Sequence, residues 1–476
     1  MRTMPFRTTV QVALAASALA ACAAPSEDVL AIRHVTVIPM TGEPPMADAT
    51  VLIRGDRVDA VGPTADVDVP RGAREIDGAG RYLIPGLIEM HAHLSKARAS
   101  ALGLFIVNGV TTVRDVGGDH EELVAWRREV RAGERLGPRI LIAGPYLEAA
   151  NNIDRMRRDP PEARVEPFER TRIGVASPAD ARRIVDSLAT LELDFLKIRT
   201  VQDHETYRAL NEAAHAHGLK LVGHVAGLPP ELVLEAGPDG VEHAFDPTLD
   251  GLSRDERMTI WRQLAERGVA IVPTLVAYTN STLEEPDRLR AIVEDSIGEI
   301  EPRSGYLSRF LLLDWREQVL EMPDENTRSL WTQVFDSIVR NLHEMHEAGV
   351  DLLVGSDVAV LNVYPGSSLH EEMAHFVDHL GMTPADVLER TTRMSAAFLG
   401  IADSVGTVAS GQVADLVLLD ANPLEDIRNL GRIASVILRG TVYDSSGLEQ
   451  VLAAVDTARD QTVNDWARRP RESPIP

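Results

Sequence analysis

Eight short apolar runs punctuate the middle of the chain, and what lies between them decides the fold class. The runs are LIPGLIEMH, VTTVRDVGG, RILIAGP, FLKIRT, KLVGHV, GVEHAFD, VAIVPTL and DLLVGSD. Intervening stretches such as PADARRIVDSLATLE and DHETYRALNEAAHAHG carry apolar residues at helical spacing. Strands that lack polar–apolar alternation are buried on both faces, as in a parallel sheet covered by helices. Eight of them alternating with helices predict an α/β fold, a closed (β/α)8 TIM barrel. Both chain ends differ in texture. IRHVTVIPMTG and ATVLIRGDRVDAVG near the start, and GTVASGQVADLVLLD and IASVILRGTVYD near the end, are β-branched runs broken by tight turns. They predict antiparallel strands and one small β-sandwich built from both ends.

The expected division is a leader at 1–22, sandwich strands at 28–83, the barrel at 84–402, further sandwich strands at 403–446, and a tail at 447–476 with at most a peripheral helix. The segment from about 278 to 325 exceeds what a barrel connection needs. Long inserts at this end of a strand often belong to active sites. After it, Leu330, Trp331, Val334, Phe335, Ile338 and Leu342 recur at helical spacing, and Gly349 ends the helix.

A formal charge of −24 makes nucleic acid an unfavourable partner and leaves small cationic or zwitterionic ligands open. The start of the chain reads as a targeting segment. MRTMPFR is basic, TTVQVALAASALA is apolar but too short to span a bilayer, and LAAC follows. Its Cys22 is the only cysteine. LAAC resembles the bacterial lipobox, which implies lipidation of Cys22 and anchoring in the cell envelope, on its periplasmic or outer-membrane face.

The first run ends on His91 and His93, two residues apart. On a strand such residues share one face, and neutral imidazole is a common metal ligand. A second pair, His215 and His217, lies in a helical pattern, where side chains two apart point about 200° from each other and cannot chelate together. His343 and His346 lie on a helix away from any strand end and read as solvated or packing residues. In a barrel, chemistry belongs at the C-terminal ends of the strands. There the fourth run carries Lys197, the fifth His224, the sixth His243, and the eighth ends on Asp357. Each alone has a dull explanation. Together they place six metal-competent groups at one end.

These residues, with GLIEMHAHL, NGVTTVRDVGG and GTVASGQVADLVLLDANPLEDI, resemble the amidohydrolase superfamily. The resemblance is to its binuclear-metal branch and, within that, to the imidazolonepropionase-like and zinc prolidase-like subgroup. It runs from Leu30 to Tyr443. One departure is GHVAG, where Val225 and Ala226 stand in place of the second histidine of many prolidase-like members. The resemblance implies two divalent ions, zinc first, with manganese, iron or cobalt as alternatives. It also implies carboxylation of Lys197 by carbon dioxide to an anionic carbamate. His91, His93, Asp357 and the carbamate would hold one ion, and His224, His243 and the carbamate the other. The implied reaction is amide hydrolysis by a metal-bridged hydroxide, with Asp357 moving the proton to the leaving nitrogen.

The substrate side is read from the residues. Arg199 follows Lys197 by two and should face the barrel mouth, where it either binds a substrate carboxylate or pairs with a loop acid. Tyr146 and Tyr278 are weaker candidates of the same kind. Arg114 and Asp115 read as residues that support the ligands from behind, or as structural ones. Small carboxylate-bearing amides, dipeptides or N-acyl amino acids, are the expected substrates. A cyclic amide or lactone hydrolase is one alternative, and a catalytically silent envelope binding lipoprotein is another. The oligomeric state stays open.

Overall fold

The computed structural model describes residues 29–459 apart from 159–167, 226–227, 244–248, 250, 321 and 323–324. The leader, Cys22 and the last part of the tail lie outside the described residues.

The two chain ends meet in one eight-stranded sheet. Val29–Val37 pairs antiparallel with Met46–Arg54, which pairs with Arg57–Pro63. Tyr82–Pro85 runs parallel to the end of the first strand and antiparallel to Leu416–Leu419 from the far end of the chain. Ile433–Leu438 and Thr441–Asp444 complete that side. The sheet has a core of its own, including Ile32, Val51, Leu83, Leu416 and Ile437. That core draws on strands from both ends of the chain.

Between the ends, seven of the eight apolar runs contribute parallel strands. Leu87–Ala92, Val110–Asp115 and Arg139–Ile142 pair in order. Phe195–Ile198, Lys220–Gly223, Gly240–Glu242 and Ala270–Val272 do the same. Single hydrogen bonds join the two groups: Asp194 N donates to Ile142 O at 3.0 Å. The eighth run, 351–357, departs from the expected strand. It makes isolated parallel bridges, Leu352 to Ile271 and Val358 to Ala92. Even so, Leu353 N donates to Ile271 O at 2.8 Å and Asp357 N to His91 O at 2.9 Å. Gly355 explains both the closeness and the break: a Cβ there would lie 2.7 Å from His91 N.

Two short strands were not anticipated. Tyr146–Ala149 and Arg172–Val175 pair parallel to each other between the third and fourth runs. Four residues each, one carrying Glu148 and the other Arg172 in a buried ion pair, show too little apolar pattern to be read.

The insert after the seventh run is packed. Trp315 is fully buried and its Nε1 donates to Ala359 O at 3.1 Å, just beyond Asp357. The helix Glu325–Glu347 follows, with Phe335, Ile338, Leu342 and Met345 buried. Leu330, expected on the same face, is 57% exposed. A terminal helix, Ser445–Ala458, docks Val451 and Val455 against Gly103, where a Cβ would meet Val455 at 2.8 Å.

Candidate metal centre

The strand ends place the expected ligands together. His91 and His93 present Nε2 at 3.3 and 3.2 Å from Asp357 Oδ1, and His243 Nε2 is 3.9 Å from Oδ2. The rings of His91 and His243 are 4.9 Å apart, those of His224 and His243 4.7 Å. Lys197 is buried among them, close enough to feel the charges of Glu242 and Asp357. Local sequence makes this crowding feasible. Gly223 adopts φ +153°, and a Cβ on it would lie 2.0 Å from Ile198 O. Only glycine lets the fifth strand press against the fourth, and His224 N then donates to Ile198 O at 3.0 Å. His243, Thr274 and Asp357 have φ of 64°, 52° and 62°, left-handed values that cost about 1–3 kcal/mol each in a non-glycine residue. Such strain clusters where side-chain aim matters more than backbone comfort.

Among the described residues, three of the four imidazoles have a partner behind the inward nitrogen. His91 Nδ1 lies 2.8 Å from Glu242 Oε2, His93 Nδ1 2.8 Å from the Tyr146 hydroxyl, and His243 Nδ1 2.7 Å from Thr274 Oγ1. Glu242 is held in turn by Arg114, whose Nη2 donates to Oε1 at 2.6 Å while its Nε donates to Met90 O. Partners on Nδ1 fix the ring plane and leave Nε2 for a ligand. Glu242 and Thr274 were not foreseen. Glu242 precedes His243 in GVEH, and an acid inside a buried run was the available signal.

The atoms facing the centre touch one another but lack well-formed hydrogen bonds. His91 Nε2, Lys197 Nζ and Asp357 Oδ1 are buried without a hydrogen-bond partner among the described residues. An unpaired buried polar atom costs about 1–3 kcal/mol, so three in one spot call for something between them. His91, His93 and Asp357 offer ligand atoms all within 4.8 Å of one another. Imidazole nitrogens with a carboxylate suit zinc and other first-row divalent ions. The donor set therefore fits a metal.

Protonation agrees. Burial pushes His93 down to about 4 and His243 to about 3, and holds His224 well below the usual imidazole range. Their lone pairs are available at neutral pH. Burial would lower His91 too, but the Asp357 and Glu242 carboxylates raise it. Burial opposes ionisation of Asp357, yet His91 and His93 keep it well below the carboxylate range. Lys197 falls to about 8, mainly by burial and further by Arg114 and Arg199, so its neutral amine is accessible near neutral pH.

The substrate candidates separate. Arg199 lies one residue beyond Phe195–Ile198, exposed, its guanidinium carbon 5.7 Å from the centre of the Tyr146 ring. Its guanidinium makes no hydrogen bond or ion pair among the described residues. Tyr146 is buried with its hydroxyl on His93. Tyr278 is half-buried beside Trp331 and lines, with His243, Asp357 and Val360, an open pocket of about 240 Å³. Asp115 accepts from Leu94 N at 2.7 Å and Gly117 N at 3.0 Å, a backbone-holding role as expected. His215 and His217 pair separately with Asp239 and Asp186 on the surface.

Comparison with known proteins gives a consistent result. The model of the amidohydrolase family matches residues 82–443. Imidazolonepropionase from Chloroflexus aggregans is 26% identical over 423 residues, covering 83% of this chain and 90% of the relative. A solved structure of a putative prolidase from Bifidobacterium longum aligns with a TM-score of 0.65 at 26% identity, over 90% of this chain and all of that one (100%). A Xaa-Pro dipeptidase with bound methionine aligns with a TM-score of 0.65 at 21% identity, over 88% of this chain and 100% of its own, a likeness of fold.

Proposed function

Because this chain belongs to the amidohydrolase family, we propose that it hydrolyses amide bonds of small carboxylate-bearing molecules, dipeptides or N-acyl amino acids, at a two-metal centre. That it is a hydrolase of carbon–nitrogen bonds follows from the family and its amide-cleaving relatives. The finer reading rests on one observation: imidazoles aimed by Glu242, Tyr146 and Thr274 converge with Asp357 on a buried lysine that has no hydrogen-bond partner among the described residues. We read the parallel strands as a closed (β/α)8 barrel and the terminal sheet as a small β-sandwich beside it.

When bound, the ions supply an activated water and an electrophile for the scissile carbonyl. His91, His93 and Asp357 would hold one, His224 and His243 the other. Lys197 would bridge them as a carbamate: its neutral amine adds to carbon dioxide, the new N–C bond forms, and one proton leaves to solvent. This exchanges an unpaired buried cation for an anion with two oxygens. Asp357 is poised to take the proton of the attacking water and deliver it to the departing nitrogen. Arg199, at the mouth over Tyr146, is placed to pair with a substrate carboxylate.

Similarity to imidazolonepropionase favours a second reading, hydrolysis of a cyclic amide at the same site. Turnover of a panel of dipeptides, N-acyl amino acids, cyclic amides and lactones decides between them. Metal analysis with Lys197→Ala tests the centre. The variant should lose activity and part of its metal, and a short carboxylic acid should partly restore both. Undiminished activity in Lys197→Ala contradicts the bridging role. Metal-loaded protein inert toward every amide contradicts the enzyme and favours a binding lipoprotein. Export and lipidation at Cys22 are proposed from the leader alone. Cys22→Ala should abolish detergent-phase partitioning of the full chain expressed in a bacterial host, and retained partitioning refutes the anchor.

A further inference from the structure

A second built cavity lies at the opposite end of the strands from the metal centre, on the seam between the terminal sheet and the helical body. It is open, of about 250 Å³, and Arg57, Arg127, Arg131, Arg139 and Arg439 line it with Asp56 and Asp415. On a chain of net charge −24 this concentration of cations is unexpected. Its walls are fixed by backbone hydrogen bonds: Ala414 N donates to Asp56 O at 2.8 Å, and Gly440 N to Ala414 O at 3.1 Å. Gly440 packs so closely that a Cβ would lie 2.0 Å from Gly55 O.

Arg127 pairs with Asp194 and Glu192, but the charges of the other four arginines are poorly compensated. Asp415, buried, accepts from Arg439 N at 2.8 Å and lies 4.0 Å from Arg139 Nη2. The Arg139 Nε is buried with no hydrogen-bond partner among the described residues. No side-chain hydrogen bond or ion pair of Arg131 or Arg439 is found among those residues. Burial lowers Arg139, Asp415 opposes this, and Arg439, Arg131 and Arg57 lower it further. With Arg127 neutralised by its own partners, the other four guanidiniums against two carboxylates leave an excess of positive charge around a partly buried donor. Planar guanidiniums offer paired N–H groups that match the oxygens of carboxylates and phosphates.

We infer that this cavity is a binding site for a small multivalent oxyanion, a phosphate or a di-carboxylate, held between Arg139 of the body and Arg439 of the terminal sheet. Such a ligand touches both parts at once and neutralises their mutual repulsion, so binding should tighten the seam. The site is separate from the proposed amide chemistry and does not depend on it.

Isothermal titration calorimetry of the full, metal-loaded chain with inorganic phosphate, pyrophosphate and succinate, at constant ionic strength, tests the site. At least one anion should bind with one-to-one stoichiometry and raise the Tm. Preference for the first two identifies a phosphate ligand, and preference for succinate a carboxylate. Arg139→Gln and Arg439→Gln should each weaken binding roughly ten- to a hundred-fold while amide turnover without the anion is unchanged. Arg131→Gln, at an exposed helix end, serves if either fails to fold. No binding by any of the three anions overturns the inference. So does binding that survives the substitutions, which would belong to the metal centre.

Discussion

Glu242 and His91 lie on strand ends 151 residues apart in sequence and meet at 2.8 Å in a fully buried contact, with Arg114 closing the other side of the carboxylate. Despite its burial, Arg114, then Lys197 and His91, hold Glu242 well below the ordinary carboxylate range. This favours its anionic form, and its contact with Nδ1 leaves the Nε2 of His91 toward the centre.

Glu242→Gln should accordingly weaken metal binding by about ten- to a hundred-fold, the usual effect of losing a ligand's hydrogen-bond partner. It also leaves Arg114 buried beside a neutral group, so the Tm should fall. Metal titration followed by a chromogenic chelator, with circular dichroism to confirm the fold, checks this. Wild-type metal affinity in a folded variant would show that His91 is aimed without Glu242.

Tyr146→Phe separates two roles. If the hydroxyl orients His93, its loss lowers metal affinity, by about ten-fold, and kcat falls in metal-limited buffer. A role in holding substrate would instead raise KM with metal content intact. The 2.8 Å contact to Nδ1 supports the first outcome.

The pattern of legibility follows from what strand periodicity encodes. His91, His93, His224, His243, Lys197 and Asp357 could be found because each terminates or interrupts an apolar run, and parallel strands bring such ends together. Which ring nitrogen faces inward could not be found, because that depends on contacts across the fold: Tyr146 reaches His93 from a four-residue strand too short to announce itself. Thr274 reaches His243 from a left-handed turn that no pattern in VAIVPTL signals. The eighth run was legible as an apolar segment but not as an irregular one, since Gly355 acts through its approach to His91.

Glu372 offers a test in pH. Its carboxyl accepts from Leu275 N at 2.9 Å and Val276 N at 2.6 Å, directly after Thr274, and burial raises it to about 8. A folded-state value above the unfolded one of about 4.5 means that its stabilising contribution is complete below pH 4.5 and fades as pH rises toward 8. Glu372→Gln, neutral at every pH, loses one hydrogen bond uniformly but lacks this decline. Its stability relative to wild type should improve with pH across that window, by up to about 1.4 kcal/mol per pH unit. Urea melts of both proteins at several pH values measure the slope, and a constant difference would contradict the raised value.

Arg199 bears on what enters the site. On the proposed two-metal reading the chemistry needs only a carbonyl and a water, so selectivity would come from the mouth. There Arg199 is exposed over Tyr146, and its charge reaches Lys197 and His224. A guanidinium–carboxylate contact contributes about 1.5–3 kcal/mol, roughly ten- to a hundred-fold in rate. Amidating the substrate carboxylate should lower kcat/KM by that factor in the native enzyme and much less in Arg199→Met. The four measurements form a double-mutant cycle, so general damage from the substitution, including any change in Lys197 caused by removing a nearby cation, cancels. If the free acid keeps its full advantage in Arg199→Met, the carboxylate is read elsewhere. Tyr278, lining the pocket beside His243 and Asp357, is then the next residue to replace.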